Sequence, residues 1–236
     1  MVRWFLLFSS IMMVACPSFV RAEEEPYDNY NPVFGYTHLA PSPFTLQAGK
    51  VVFGTDVTVG VTDFLSVGTG LLRDAFQFYN ANAKVSLAST SDFACALTFT
   101  AEAFNYDTIS SNNPNYTVVT YQPGAVAAYA IIPNLAVFAY GDLSLSHPDP
   151  ITSGIDTAGY VSGSLIGSDV SWAYSPGKKR IGNAVSAGVT YDLTYQIFGF
   201  GVSHHWPGYQ VGLHYYPNAT QYKVQPILAG GYVYHF

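Results

Sequence analysis

Hydrophobic residues alternate with small or polar residues along most of this chain. In residues 57–62 every odd position is valine and every even position is small or hydroxylic, and residues 81–87 and 93–104 repeat the alternation. Successive side chains of a β-strand point to opposite faces, so a period of two predicts strands with one apolar face and one small, polar face. The pattern continues to about residue 202, and no stretch predicts an amphipathic helix longer than a turn or two.

The links between the predicted strands alternate in length. Short links with turn-forming residues lie at 62–64, 89–92, 133–134, 167–169 and 192–194. Longer polar stretches lie at 105–116, 147–157, 175–183 and 204–222. An up-and-down meander inserted in a membrane shows this alternation, because its tight turns share one rim and its long loops share the other.

The composition of the second face decides between two architectures of alternating antiparallel strands. A soluble sandwich would show many lysines, glutamates and arginines to water, whereas a membrane barrel turns its apolar face to lipid and its polar face to the lumen. Here the second face is mostly Gly, Ala, Ser, Thr and Asn, and only 10% of all residues are charged. The 16% aromatic content, with 19 tyrosines, suits girdles at the two membrane interfaces. We therefore predict an all-β, transmembrane, antiparallel up-and-down β-barrel.

Residues 1–22 have the organisation of an export signal. Arg3 precedes an apolar stretch at 4–15 that is too short to span a bilayer, and small residues precede a cleavage position between Ala22 and Glu23. One alternative is a lipoprotein signal that acylates Cys16, although Met13 stands where that motif prefers leucine. The other alternative is a retained interfacial helix.

Cleavage after residue 22 divides the chain into three parts. After the signal peptide at 1–22 comes an extended periplasmic lead segment at 23–43, which is acidic, aromatic and rich in proline, and then the barrel at 44–236. The nine basic and 15 acidic residues of the full chain become seven and 15, because only Arg3 and Arg21 are lost. So few basic residues exclude a nucleic-acid-binding face, and a single remaining cysteine excludes an intrachain disulfide.

The end of the chain carries the most specific local motif. Val224, Leu228, Tyr232, Tyr234 and Phe236 share one face of the last predicted strand. Of this stretch, Gly231, Tyr234 and Phe236 match the glycine and alternating aromatics of the signal that the bacterial barrel-assembly machinery recognises. In this motif and in its strand pattern the chain resembles bacterial outer-membrane β-barrel proteins.

The resemblance implies a location and partners. It implies the outer membrane of a Gram-negative bacterium, contact with membrane lipid and lipopolysaccharide, and the barrel-assembly machinery as a partner during biogenesis. Chains of this class begin and end on the periplasmic side, which requires an even number of strands. We predict twelve strands, with ten as the alternative.

The polar face of the predicted strands supplies candidate lumen residues. They are Thr58, Asn80, Asn82, Lys84, Thr98, Thr100, Glu102, Asp142 and Ser186. Pairing about the turn at 89–92 sets Lys84 near Thr98 and Glu102 near Asn80. These charges are either a filter that biases passage or an internal network that stiffens the barrel.

Other polar residues give weaker candidates. Lys178, Lys179 and Arg180 form the chain's basic cluster, which is either a lipopolysaccharide contact at the outer rim or a solvated loop. Ser203 and His204 would point to opposite faces of one strand, so no nucleophile and base pair is predicted there. The histidines at 204, 205 and 214 lack metal-ligand spacing, and we expect no metal and no cofactor.

Three functions follow in decreasing order of support. The first is a narrow passive pore for small solutes. The second is a non-conducting structural or surface-interaction barrel whose long loops meet a partner. The third, an enzyme acting on acyl chains, has the least support, and we predict that the protein is not an enzyme.

Overall fold

The computed structural model describes residues 42–71, 74, 78–105, 117–147, 164–175, 183–206, 209–219 and 224–235. Within them the strands are β1 (Lys50–Gly54), β2 (Val57–Thr62), β3 (Leu65–Thr69), β4 (Phe78–Ser89), β5 (Phe93–Asn105), β6 (Thr117–Ile132), β7 (Leu135–Asp142), β8 (Leu145–His147), β9 (Leu165–Ser175), β10 (Asn183–Asp192), β11 (Ile197–Trp206), β12 (Tyr209–Tyr215) and β13 (Val224–His235). No helix in these ranges is long and apolar enough to cross a membrane.

All thirteen strands belong to one antiparallel sheet. Strands that follow each other in the chain pair with each other, apart from the short β8. In addition β1 pairs with β13, where Lys50 lies opposite His235. The prediction of an all-β chain of antiparallel, up-and-down strands is therefore confirmed.

The strand count differs from the predicted twelve because one strand is interrupted. Both β7 and β8 pair with β6, where Asp142 lies opposite Gly124 and Leu145 lies opposite Tyr121. The two therefore lie end to end along β6. The interruption falls at residues 143–144, where the Leu143 amide donates to the Pro123 carbonyl at 2.9 Å.

The two faces of the sheet differ sharply in composition and burial. On β5, Leu97 and Phe99 are 48% and 43% exposed, whereas Ala94 and Ala96 are fully buried. We call the face of Leu97 and Phe99 the apolar face, and the face of Ala94 and Ala96 the small-residue face. Residues directly opposite each other in the register share a face, so the assignment extends from strand to strand.

Charge follows the same division. The described strands contain six charged residues, and the register assigns all of them to the small-residue face: Lys50, Lys84, Glu102, Asp142, Asp169 and Asp192. The exposed face of the described strands therefore carries no charge.

The sheet has two distinguishable edges. We call the edge where β1 begins and β13 ends the terminal edge. Since neighbouring strands alternate in direction, β9 ends and β10 begins at this same edge. Lys178, Lys179 and Arg180 lie outside the described residues, so the predicted lipopolysaccharide contact stays a prediction.

Two predicted links are wrong. Residues 167–169, predicted as a short turn, lie within β9, where each of them pairs with a residue on both neighbouring strands. Residues 204–222 contain the end of β11 and the whole of β12. In this part of the chain Val211, Leu213 and Tyr215 alternate with Gly212 and His214, so the period of two continues. Histidine and tyrosine are partly polar, so this alternation looks like a polar loop in the sequence.

Other predicted segments lie outside the described residues. They are the signal peptide at 1–22 with its cleavage position, nearly all of the lead segment at 23–43, and Phe236.

Glycines on the small-residue face allow neighbouring side chains to occupy the space above them. A β-carbon built on Gly188 would overlap the Asp169 carboxylate and would lie 2.6 Å from the Ser168 carbonyl oxygen. Asp169 lies directly opposite Gly188 in the register. The glycine therefore provides the room that this buried acid needs.

We predict that Gly188→Ala destabilises the protein by roughly 1–3 kcal/mol, because the added methyl group overpacks the Asp169 position. The midpoint of urea unfolding measures the loss. Ala187→Val is the matched control, since Ala187 is exposed on the apolar face and the extra methyl groups meet no packed neighbour there. Equal effects of the two substitutions would contradict the prediction.

Candidate functional site

The nine residues predicted to line a lumen share the small-residue face. Lys84 lies opposite Thr98, Asn82 opposite Thr100, and Asn80 opposite Glu102. The pairings predicted for Lys84 and Glu102 are therefore confirmed. Thr58, Asp142 and Ser186 take the same face on β2, β7 and β10. That this face lines a lumen stays a prediction.

Acidic residues dominate one part of the face. The Asp142 carboxylate is close enough to those of Asp192 and Glu102 for their charges to repel. Asp169 is fully buried and accepts a hydrogen bond from the Tyr140 hydroxyl at 3.0 Å. These side chains come from β5, β7, β9 and β10 and create a negative region that no single strand contains.

Lys84 has a partner that the sequence did not indicate. Its ammonium group donates to the backbone carbonyl of Ser42 at 2.8 Å. Ser42 belongs to residues 42–47, which precede the sheet and lie against the small-residue face. We call residues 42–47 the entry segment. The lysine thus holds a backbone segment against the small-residue face.

Serine and histidine side chains form a second cluster, farther toward the terminal edge. Ser186 Oγ lies 2.7 Å from Ser203 Oγ, and His205 Nε2 lies 2.8 Å and 2.9 Å from these two oxygens. The Gln210 amide donates to Ser203 Oγ at 3.2 Å. Ser171 Oγ is buried on the neighbouring strand without a hydrogen-bond partner. Only Ser186 of this cluster was predicted.

The sequence signal for the other members was present but weak. Ser203 and His205 are two residues apart on β11, and cross-strand pairing brings Ser186 opposite Ser203. The period of two therefore predicts that Ser203 and His205 share a face. Their contact with Ser186 depends on the register between β10 and β11, which the sequence does not state.

His204 lies on the opposite face from Ser203, as predicted. Ser203 is buried, whereas His204 packs against Trp206 on the apolar face with ring centroids 3.9 Å apart and the rings tilted by 43°. The Tyr174 hydroxyl lies 2.6 Å from His204 Nε2. Serine and histidine do meet in this protein, but the histidine is His205.

His214 is a second buried histidine on the small-residue face. His214 Nε2 lies 2.9 Å from Thr190 Oγ1, and its ring packs against Tyr216. Among the described residues, no group of three or more histidines, cysteines or acidic residues has an arrangement that could hold a metal ion.

The predicted assembly signal lies in β13 as far as it is described. Gly231 is opposite Gly54, and Tyr234 is opposite Val51. The last strand is thus paired with the first through the residues of the motif. Recognition by an assembly machinery stays a prediction.

No protein-family model, curated protein or solved structure matches this chain.

We predict that Ser186→Ala and Ser203→Ala each destabilise the protein by about 1 kcal/mol, because each removes a buried hydrogen bond. The two losses should not add, since both hydroxyls share one imidazole nitrogen, and contacting residues couple by about 0.5–3 kcal/mol. Urea unfolding of the single and double variants measures the coupling. Pairing Ser186→Ala with the distant Thr58→Ala is the control and should be additive.

Proposed function

We propose that this protein is a closed outer-membrane β-barrel that provides a narrow, passive passage for small solutes. The main support for the proposal is the distribution of side chains between the two faces of the sheet. The strands present large apolar side chains outward and keep all of their described charges on the buried face. A protein that folds in water has the opposite arrangement, with its charged side chains exposed and its large apolar side chains buried.

The pairing of the strands supports closure. With β1 paired to β13 and every other strand paired on both sides apart from β8, the described sheet has no long free edge. A closed sheet satisfies all of its backbone groups internally, which is the condition for crossing a hydrocarbon layer with strands.

Burial of the small-residue face gives independent support. Ala136, Ser171 and Ser186 on neighbouring strands are fully buried, although the described residues form only one sheet. One sheet buries a face without a second layer when it curls round on itself. Small side chains then suit the interior of a barrel, where space is limited.

The extent of the apolar face supports lipid as its surroundings. Exposed side chains such as Trp172, Val189 and Phe200 come from the successive strands β9, β10 and β11 and are joined by others all along the sheet. Soluble monomers rarely expose contiguous apolar patches above a few hundred Å². The location in the outer membrane rests on the export signal and on the resemblance at the end of the chain.

The charge of the small-residue face favours one class of solute. Glu102, Asp142, Asp169 and Asp192 outnumber Lys84 and Lys50 among the described residues of that face. Rings of acidic side chains select for cations in membrane pores. We therefore propose that small cations pass more readily than anions.

The main competing function is a non-conducting barrel. Val126 and Phe138 are 2% and 1% exposed, so the part of the small-residue face around them is filled. Lipid acyl transfer has less support, because Ser203, the serine that meets His205, is only 1% exposed and out of reach of a lipid.

We predict that the purified protein gives brief, cation-selective openings in planar bilayers. Asp142→Asn should lower the cation-to-anion permeability ratio several-fold, because it removes one charge of the acidic region. Asp92→Asn is the matched control, since Asp92 is exposed in a turn between β4 and β5. Bilayers that stay sealed at all voltages for every variant would contradict the proposed passage and favour the non-conducting barrel.

A further inference from the structure

The entry segment (residues 42–47) is bound to the small-residue face by several specific hydrogen bonds. The Leu46 amide donates to Ser66 Oγ at 2.7 Å, and Thr45 Oγ1 donates to the Asp63 carbonyl at 2.6 Å. Lys84 Nζ holds the Ser42 carbonyl from the neighbouring strand β4. The segment therefore has a defined position across β2, β3 and β4.

Gly60 allows the backbone of the entry segment to lie close to the sheet. A β-carbon built on Gly60 would overlap the backbone carbonyl of Gln47, and Gly60 is buried beneath it. The absence of a side chain lets the backbone of the entry segment approach that of β2 directly. This kind of backbone approach is a recognised use of glycine within a strand.

The entry segment also reaches the far side of the buried space. Phe44 is 9% exposed and belongs to the cluster of buried residues that contains Ala94, Val126 and Phe138. The hydrogen bonds of the segment reach Asp63, β3 and β4. One short segment thus connects this part of the sheet with the buried apolar cluster.

The attachment of the segment to the sheet permits it to move as a unit. The segment pairs in no strand ladder, so its departure leaves the sheet intact. It joins β1 through Gly49, which has φ +80°, and a β-carbon at Gly49 would meet nothing within 4 Å. The Gly49 amide donates to the Gly60 carbonyl at 2.8 Å, and the Lys50 amide donates to the Gln47 carbonyl at 3.1 Å. Gly49 can act as a hinge once these two hydrogen bonds of the turn are released.

We propose that the entry segment is an internal gate that keeps the passage closed, with Phe44 as its stopper and Lys84 as its latch. This inference rests on the proposed function and concerns the regulation of the same passage. The sheet provides a permanent frame, and the gate opens when the hydrogen bonds at Ser42, Thr45 and Leu46 and the contacts of Phe44 are released together. Opening requires no strand to separate.

Single-channel recording of the complete protein tests the gate. Phe44→Ala should raise the open fraction on the order of 100-fold, because burial of the ring is lost from the closed state only. Lys84→Met should raise it roughly tenfold, since it removes one charge-assisted hydrogen bond. Phe99→Ala is the matched control, because it deletes the same ring from the apolar face.

A chemical measurement accompanies the recordings. Ser86 is half-buried on the small-residue face, and its replacement by the nearly isosteric cysteine, in a Cys95→Ala background, places one thiol there. A water-soluble thiol reagent should modify position 86 faster in the Phe44→Ala variant than in the Phe99→Ala variant. Retained heat-modifiable migration on denaturing gels confirms that each variant is assembled.

The outcomes separate the two proposals. Higher open fractions and faster modification for Phe44→Ala and Lys84→Met support the gate. If all variants conduct like the unmodified protein and react at one rate, the gate is wrong and the passage stands. If assembled variants never conduct, the passage is wrong and the gate is overturned with it.

Discussion

Backbone pairing between neighbouring strands is the constraint on which the rest of the structure depends. Neighbouring strands pair through their amides and carbonyls, and pairing of β1 with β13 extends this to the first and last strands. Once the backbone is satisfied in this way, side chains are free to differ completely between the two faces. Such pairing is what the proposed membrane barrel requires, because backbone groups in hydrocarbon must be satisfied internally.

Small side chains on the buried face have a second consequence. Because Gly60, Gly188 and the alanines of β5 leave space above the sheet, larger groups from elsewhere occupy it. The Asp169 carboxylate lies above one glycine and the backbone of the entry segment lies above another. A face of small residues is therefore not empty, and its polar contacts include a segment that belongs to no strand.

Much of the fold and part of the site could be predicted from local pattern. Period-two alternation identified the antiparallel, up-and-down strands and assigned Lys84 and Glu102 to one face with the correct partners, because a tight turn sets the register of a hairpin. The pattern failed at residues 209–215, where histidine and tyrosine hide the alternation. It also missed the Ser186–Ser203–His205 cluster, because those contacts join two strands.

The sequence by itself determined which side chains share a face, since that depends only on whether their positions differ by an even number along a strand. It also determined that one face is apolar and that the other is mostly small and polar. Only the tertiary structure decided that β1 meets β13, that Asp142 lies near Asp192, and that Lys84 holds the Ser42 carbonyl. Such contacts join residues far apart in the chain, and their geometry depends on the register and curvature of the whole sheet.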